Sequence, residues 1–318
     1  MFWMSVRRIV NGSFSDQPVL GPTRYLDVPD NATPSPAHVV PRTEWLRRVM
    51  ATFGRTPSGS MSGAVTFFVH GFNNSVADAA MRQRVLAQGL RTAGFASTVI
   101  GYDWPSGTTA LGYLDDRHDA KQTAMRLVND GIRLFVAVRT PDCEVAVHVV
   151  AHSMGAYVVR EAFDDADDTT AAAANWTANQ VVLAAGDVSA ESFTAGNAST
   201  ESLYRHAYRL TNYFSRFDAP LQVSNLKRVG LSPRVGRVGL PAGAPAKGVN
   251  IDCSARSLKL KGDPALARDG GDPTHVFYFY DPKWYADLAL TLDGRVDRDA
   301  MPTRSQPPSG APATHELL

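Results

Sequence analysis

With 318 residues, of which 44% are hydrophobic and 20% charged, the chain has the composition of an ordinary globular protein, which excludes disordered, collagen-like and coiled-coil classes. Thirty-two Lys and Arg against 31 Asp and Glu leave a formal charge of +1, too little for the basic face that captures phosphate backbones, so no nucleic-acid partner is expected. The 2 cysteines, Cys143 and Cys253, lie apart from any CxxC or Cys/His spacing, which argues against a disulfide framework and a zinc site, and no apolar run reaches the ~18 residues of a membrane span.

Met1 to Val10 carries Arg7 and Arg8 where an export signal needs its apolar stretch, so a cytoplasmic chain is expected. Residues 1–61 read as an amino-terminal extension rich in Pro, Ser, Thr and Arg, with short strands near Arg8 to Val10 and Arg24 to Val28. At Ala64 the pattern changes. Ala64-Val-Thr-Phe-Phe-Val69 is a β-branched and aromatic run ending in His70-Gly71, as a buried strand would. Asn74 offers an N-cap to a helix over Val76 to Ala93, with Gly94 at its end. Ser97 to Tyr102 reads as the next strand.

Between Asp115 and Val138, apolar residues at Ala120, Ala124, Leu127, Val128, Ile132 and Phe135 recur at spacings of three and four, one face of a helix. Glu144 to Val150 is a strand and Ala156 to Phe163 a helix. Further strands are read at Asn179 to Ala185, Ala207 to Phe214 and Val276 to Tyr280, and a last helix at Trp284 to Leu292. Strands alternating with helices predict an α/β domain over residues 62–298, with a mostly parallel central sheet covered on both faces. Residues 230–272, rich in Gly and Pro, read as one long loop, and residues 299–318, with Pro302, Pro307, Pro308 and Pro312, as a disordered tail. The acidic knot Asp164, Asp165, Asp167 and Asp168 reads as a solvated face; no metal and no cofactor are expected.

The chemistry sits where the strand ending at Val150 runs through Ala151-His-Ser-Met-Gly155 into a helix. A serine on so sharp a strand-to-helix turn is lifted clear of the sheet, provided its neighbours two residues away on each side are small, as Ala151 and Gly155 are. Ser153 is therefore the candidate nucleophile. Phe67-Phe-Val-His-Gly-Phe-Asn73 has the form of an oxyanion loop: one amide would come from Met154, after the nucleophile, and a second from Phe72. His70 reads as a loop-holding residue, and Trp104 either as a wall of an acyl pocket or as core.

Sites built on such an elbow run Ser, then Asp or Glu, then His along the chain. His206, His275 and His315 follow Ser153; His206 precedes the preferred acid and His315 lies in the Pro-rich tail, which leaves His275 as base. Asp218, closing Tyr213-Phe-Ser-Arg-Phe-Asp218, is the first choice for the acid that orients it, and Asp187, closing Leu183-Ala-Ala-Gly-Asp187, is the competitor.

These segments, together with Gly101-Tyr-Asp-Trp-Pro105, resemble the α/β-hydrolase superfamily, and in particular a bacterial group of serine hydrolases long catalogued as a domain of unknown function. The resemblance spans residues 62 to 292. It implies the α/β-hydrolase fold, a Ser-Asp-His triad with Ser153 and His275 and with Asp218 preferred over Asp187, and hydrolysis of a small-molecule ester without a cofactor. A serine carboxylesterase for short to medium acyl esters is the expectation. A lipase, thioesterase or acyltransferase would use the same residues, and a non-catalytic binding protein of this fold is the rival from another class. Nothing in the sequence speaks to oligomeric state.

Overall fold

The computed structural model describes residues 1–17, 19–106, 123–137, 143–167, 176–227, 232–267, 269–306 and 308–318. Its centre is an 11-stranded sheet. In chain order the strands are β1 (Phe2–Arg7), β2 (Leu20–Asp27), β3 (Val39–Val40), β4 (Gly54–Arg55), β5 (Met61–Val69), β6 (Thr98–Asp103), β7 (Glu144–His152), β8 (Ala178–Ala184), β9 (Ala207–Phe214), β10 (Gly248–Asp252) and β11 (Thr314–Glu316). They lie in the order β11-β10-β9-β8-β7-β5-β6-β1-β2-β3, with β4 paired to β5. Every pairing from β11 across to β1 is parallel, while β2, β3 and β4 join antiparallel.

The apolar runs that look featureless in sequence are explained by burial on both faces. Phe67, Val69, Val147, Val149, Val181 and Leu183 point to one core, shared with Leu127, Val128, Ile132 and Phe135 and with helix α2 (Gly155–Asp167). Phe68, Val150, Val182, Tyr213 and Ile251 point to the other, shared with helices α1 (Val76–Thr92) and α6 (Pro282–Asp293). Alternate residues of one strand thus enter opposite cores, so neither face is left to solvent and the run is nearly continuous, with Thr66, His148 and Gln180 as buried exceptions. Ala120 lies outside the described residues.

Several expectations differ from the structure. The cap of α1 is Ser75, whose hydroxyl accepts the Asp78 N–H while Asp78 reaches back to the Ser75 N–H. Asn74 is committed elsewhere, its side-chain amide donating to the carbonyls of Gly71 and Phe72. Val276 to Tyr280 is not a strand: α5 (Pro273–Val276) runs into a 3-10 turn, Phe277–Tyr280. Pro273 and the Asp272 cap start the helix, and the aromatic residues bury whichever backbone carries them, so a short apolar run could not distinguish the two.

Between residues 232 and 267, read as loop, lie β10 and α4 (Ser254–Leu260), elements of 5 and 7 residues, too short to leave a period in the sequence. The end of the chain is ordered into the sheet as well. Thr314–Glu316 pairs with β10, and Arg304, fully buried, grips the equally buried Asp287 through two bonds of 2.8 Å. Proline-rich composition hid the few buried residues, Met301, Arg304, His315 and Leu317, that anchor it. Among the described residues no helix is long and apolar enough to cross a membrane.

Candidate active site

The strand β7 ends at His152 and α2 begins at Gly155, so the turn between them must be made in two residues. Ser153 takes the strained conformation, φ +54°, where few non-glycine residues sit. Three backbone bonds hold it there: its N–H donates to the Ala184 carbonyl (3.0 Å), and its own carbonyl accepts from Ala156 (3.1 Å) and Asp187 (2.9 Å). A Cβ on Gly155 would stand 2.3 Å from the Val69 carbonyl and 2.7 Å from that of His70. Both are backbone and cannot yield cheaply, so Gly155→Ala is expected to lower stability by roughly 1–3 kcal/mol or more, read as a fall in Tm.

The loop after β5 comes in from the other side. Gly71 packs so closely that a Cβ there would lie 2.9 Å from Ser153 Cβ. The Gly71 carbonyl is held by the Asn74 side chain (2.8 Å) and by His70 Nδ1 (3.0 Å). Burial pushes the His70 pKa below its ordinary value despite the neighbouring Asp103 carboxylate. The neutral ring then carries its proton on Nδ1, toward Gly71, while Nε2 accepts the Trp104 N–H at 3.3 Å. Trp104 is fully buried, stacked on His70, and does not line the cleft.

Ser153, Met154, Phe72 and His275 line one cleft of about 560 Å³. His275 sits on α5, and its Nδ1 stands 2.7 Å from Asp218 Oδ2. Asp218 is itself fully buried just before α3 (Ala219–Lys227), and its other oxygen takes the Leu221 N–H at 3.0 Å. Burial lowers the imidazole's proton affinity, but the charge and hydrogen bond of Asp218, helped by Asp187, outweigh it and hold the His275 pKa above 6.5. Asp187 also lines the cleft, with Arg234 3.1 Å away as its counter-ion. Hence Asp218, and not Asp187, is the carboxylate in hydrogen-bonding contact with the imidazole.

Among the described residues, His206, His315 and His148 are committed away from the cleft, while His152 lines it. His206 lies flat on Trp176 with Nδ1 2.8 Å from the Trp176 carbonyl, and His315 sits in β11 with Nδ1 2.8 Å from the Ser305 carbonyl. His148 is buried in β7, edge-on to Phe95. His152, beside the serine, is buried against His275 and Phe279, and burial together with the charge of His275 drives its pKa well below 6.5. As a neutral ring it donates from Nε2 to the His275 carbonyl (3.0 Å), tying the base's backbone to the elbow.

Three cleft features had no legible sequence signal. Arg234 neutralises Asp187 from 47 residues away, Arg82 joins Asn74 (2.8 Å) to Asp269 (2.6 Å) across the cleft wall, and Arg7 arrives from β1. Their partners Asp187, Asn74 and Asp103 do lie in segments that the sequence singles out. Among the described residues no group of three or more His, Cys, Asp or Glu side chains is disposed to hold a metal, and Asp168 lies outside them.

A stretch of 60 residues is 38% identical to an uncharacterized protein of Nostoc sp., covering 19% of this chain and 15% of that one, so only a small part of that relative is represented here. Aspergillus fumigatus lipase B superposes with a TM-score of 0.41 at 15% identity, over 92% of this chain and 66% of that one. A Trichoderma reesei cutinase in complex with a phosphonate inhibitor superposes with a TM-score of 0.33 at 11% identity, over 73% and 75%. Residues 50–247, more than half of the chain, match the family described as alpha/beta hydrolase of unknown function (DUF900), and it is to this family that the protein, with its doubly covered parallel sheet and its serine on the strand-to-helix turn, belongs.

Proposed function

We propose that the protein is a serine hydrolase of carboxylic esters. The observation that carries this reading is the opening of Ser153, held at φ +54° on its turn, into the same cleft as His275, whose Nδ1 lies 2.7 Å from a buried carboxylate. Asp218 holds the imidazole with its Nδ1 proton, leaving Nε2 as the basic nitrogen. Ser153 Oγ attacks the ester carbonyl as its proton passes to His275 Nε2, and that proton then goes to the leaving alkoxide. The acyl-enzyme is resolved by water, which gives its proton to the same nitrogen and releases the carboxylic acid and free serine. The Met154 and Phe72 amides are the donors assigned to the oxyanion.

Short to medium acyl groups suit the cleft. The lining joins the apolar Met154, Pro220, Leu221 and Val223 to the polar segment Asp269 to Asp272, unlike the greasy lid of a lipase. The test is labelling of Ser153 by a fluorophosphonate probe, followed by turnover of 4-nitrophenyl esters of increasing chain length. No labelling and no turnover would leave a binding protein of this fold; a strong preference for long chains at an oil–water interface would make it a lipase.

The pH profile is a further prediction. Since His275 must be unprotonated to act as base and its pKa lies above 6.5, kcat/KM is expected to fall as pH drops through that raised value. The Asp187 charge contributes to the raise, so Asp187→Asn should move the acid limb to lower pH. An acid limb unmoved in Asp187→Asn would contradict this coupling.

A further inference from the structure

The strand β1 lies outside residues 50–247, the segment that matches the family, yet it ends beneath the loop that faces Ser153. Arg7 at its end is fully buried. Its Nε donates to Asp103 Oδ1 (2.7 Å) and its Nη2 to the main-chain carbonyl of Asn74 (2.8 Å), while Ser5 Oγ donates to the second oxygen of Asp103 (2.7 Å). Asp103 is buried too, and Arg7 keeps its carboxyl below the usual range against the opposing effect of burial. Desolvating two such charges consumes much of their attraction, so an apolar pair would hold β1 to the sheet about as well. What the ion pair adds is direction.

That direction matters because of one peptide unit. The Gly71 carbonyl and the Phe72 N–H belong to the same planar trans peptide and point opposite ways. Two donors clamp that carbonyl, His70 Nδ1 and Asn74 Nδ2, and each rests on the Arg7–Asp103 pair. Asn74 is held through its own carbonyl by Arg7, and His70 is stacked on the Trp104 ring and accepts at Nε2 the main-chain N–H of Trp104, the residue that follows Asp103. The Phe72 N–H then points away from the clamped carbonyl, in a peptide so near the nucleophile that a Cβ on Gly71 would stand 2.9 Å from Ser153 Cβ.

We propose that Arg7 is a positioning residue for oxyanion stabilisation: by holding Asn74 and Asp103 it fixes the orientation of the Gly71–Phe72 peptide, which makes the amino-terminal strand a working part of the site. The proposal rests on the ester-hydrolase reading for its chemistry but not for its geometry. Rotation of this peptide would remove one donor from the developing oxyanion, a loss of about 10²–10³ in kcat where such donors have been deleted, and loosening it costs a part of that.

Two variants test it. Arg7→Lys keeps the positive charge beside Asp103 but cannot span both partners; the double variant Arg7→Met/Asp103→Asn removes both charges and leaves none buried alone. Each is compared with the unmodified protein for kcat and KM on 4-nitrophenyl acetate, for inhibition by phenylboronic acid, which becomes a tetrahedral anion on the serine, and for amide hydrogen exchange at residues 71–74. Expected are a fall in kcat of about 10- to 100-fold with KM within about twofold, a parallel loss of boronate affinity, and faster exchange confined to the loop. A role in stability alone would lower Tm and leave kcat and boronate affinity unchanged; that result in either folded variant overturns the proposal. If the unmodified protein neither hydrolyses the ester nor binds the boronate, the hydrolase reading falls instead. Exchange at 71–74 then decides the geometry, and unaltered exchange in both variants overturns it.

Discussion

Replacing Ser153 with alanine is expected to reduce ester turnover by about 10⁴-fold or more while leaving the protein folded. The magnitude follows from what the hydroxyl does and does not touch. The turn is held by the main chain, through the bonds of Ser153 to Ala184, Ala156 and Asp187, and all three survive the substitution. Alanine meets the same strain at φ +54° and fills no new space, so Tm should stay within a few degrees. Catalysis loses its only attacking atom, and what remains is the slow attack of water assisted by the oxyanion donors. His275→Ala should fall about as far, because nucleophile and base act as a unit. The measurement is kcat on 4-nitrophenyl acetate alongside a melting curve; a folded Ser153→Ala protein with near-normal turnover removes Ser153 from the chemistry.

The second large effect separates two aspartates at the same edge of the sheet. Asp218→Asn is expected to cost about 10⁴-fold in kcat, the size seen for the equivalent change in a serine protease. Asp218 accepts the His275 Nδ1 proton at 2.7 Å, and an amide at that place can present its own N–H to Nδ1, which forces the imidazole proton to Nε2, where the base must be free. Asp187→Asn should reduce kcat by less than about tenfold, since Asp187 acts on His275 only through its charge. Its larger penalty falls on stability, because the buried Arg234 loses its counter-ion. Measuring kcat and Tm for both variants checks the pair of expectations. The reverse ranking in kcat moves the acid role to Asp187.

Legibility in the sequence tracked the distance over which the signal acts. Ala64 to Val69 and Val145 to Val150 are nearly continuous apolar runs, each broken by a single buried polar residue, Thr66 or His148, because their strands are covered on both faces, and the turn around Ser153 announces itself because Gly155 cannot carry a side chain against the Val69 carbonyl. Those are constraints within a few residues, or of a strand on its own layer. Short elements were lost: β10 and β11 hold 5 and 3 residues, too few for a period, and they join the sheet by pairing with strands far away in the chain. The aromatic run at Phe277–Tyr280 was misread for the complementary reason, since burial alone demands apolar residues and does not specify the backbone that carries them.

By itself, then, the sequence determined the alternation of strands and helices, the serine on its turn and the small residues that turn requires, because each is enforced by neighbours along the chain. Which aspartate touches His275, what neutralises the other, and what stands beneath the Gly71–Phe72 peptide were decided only by the tertiary structure. Arg234 reaches Asp187 and Arg7 reaches Asp103 and Asn74 from positions with no local mark, because a buried charge takes its partner from whatever element the sheet order places beside it, and that order is set by the packing of the whole chain.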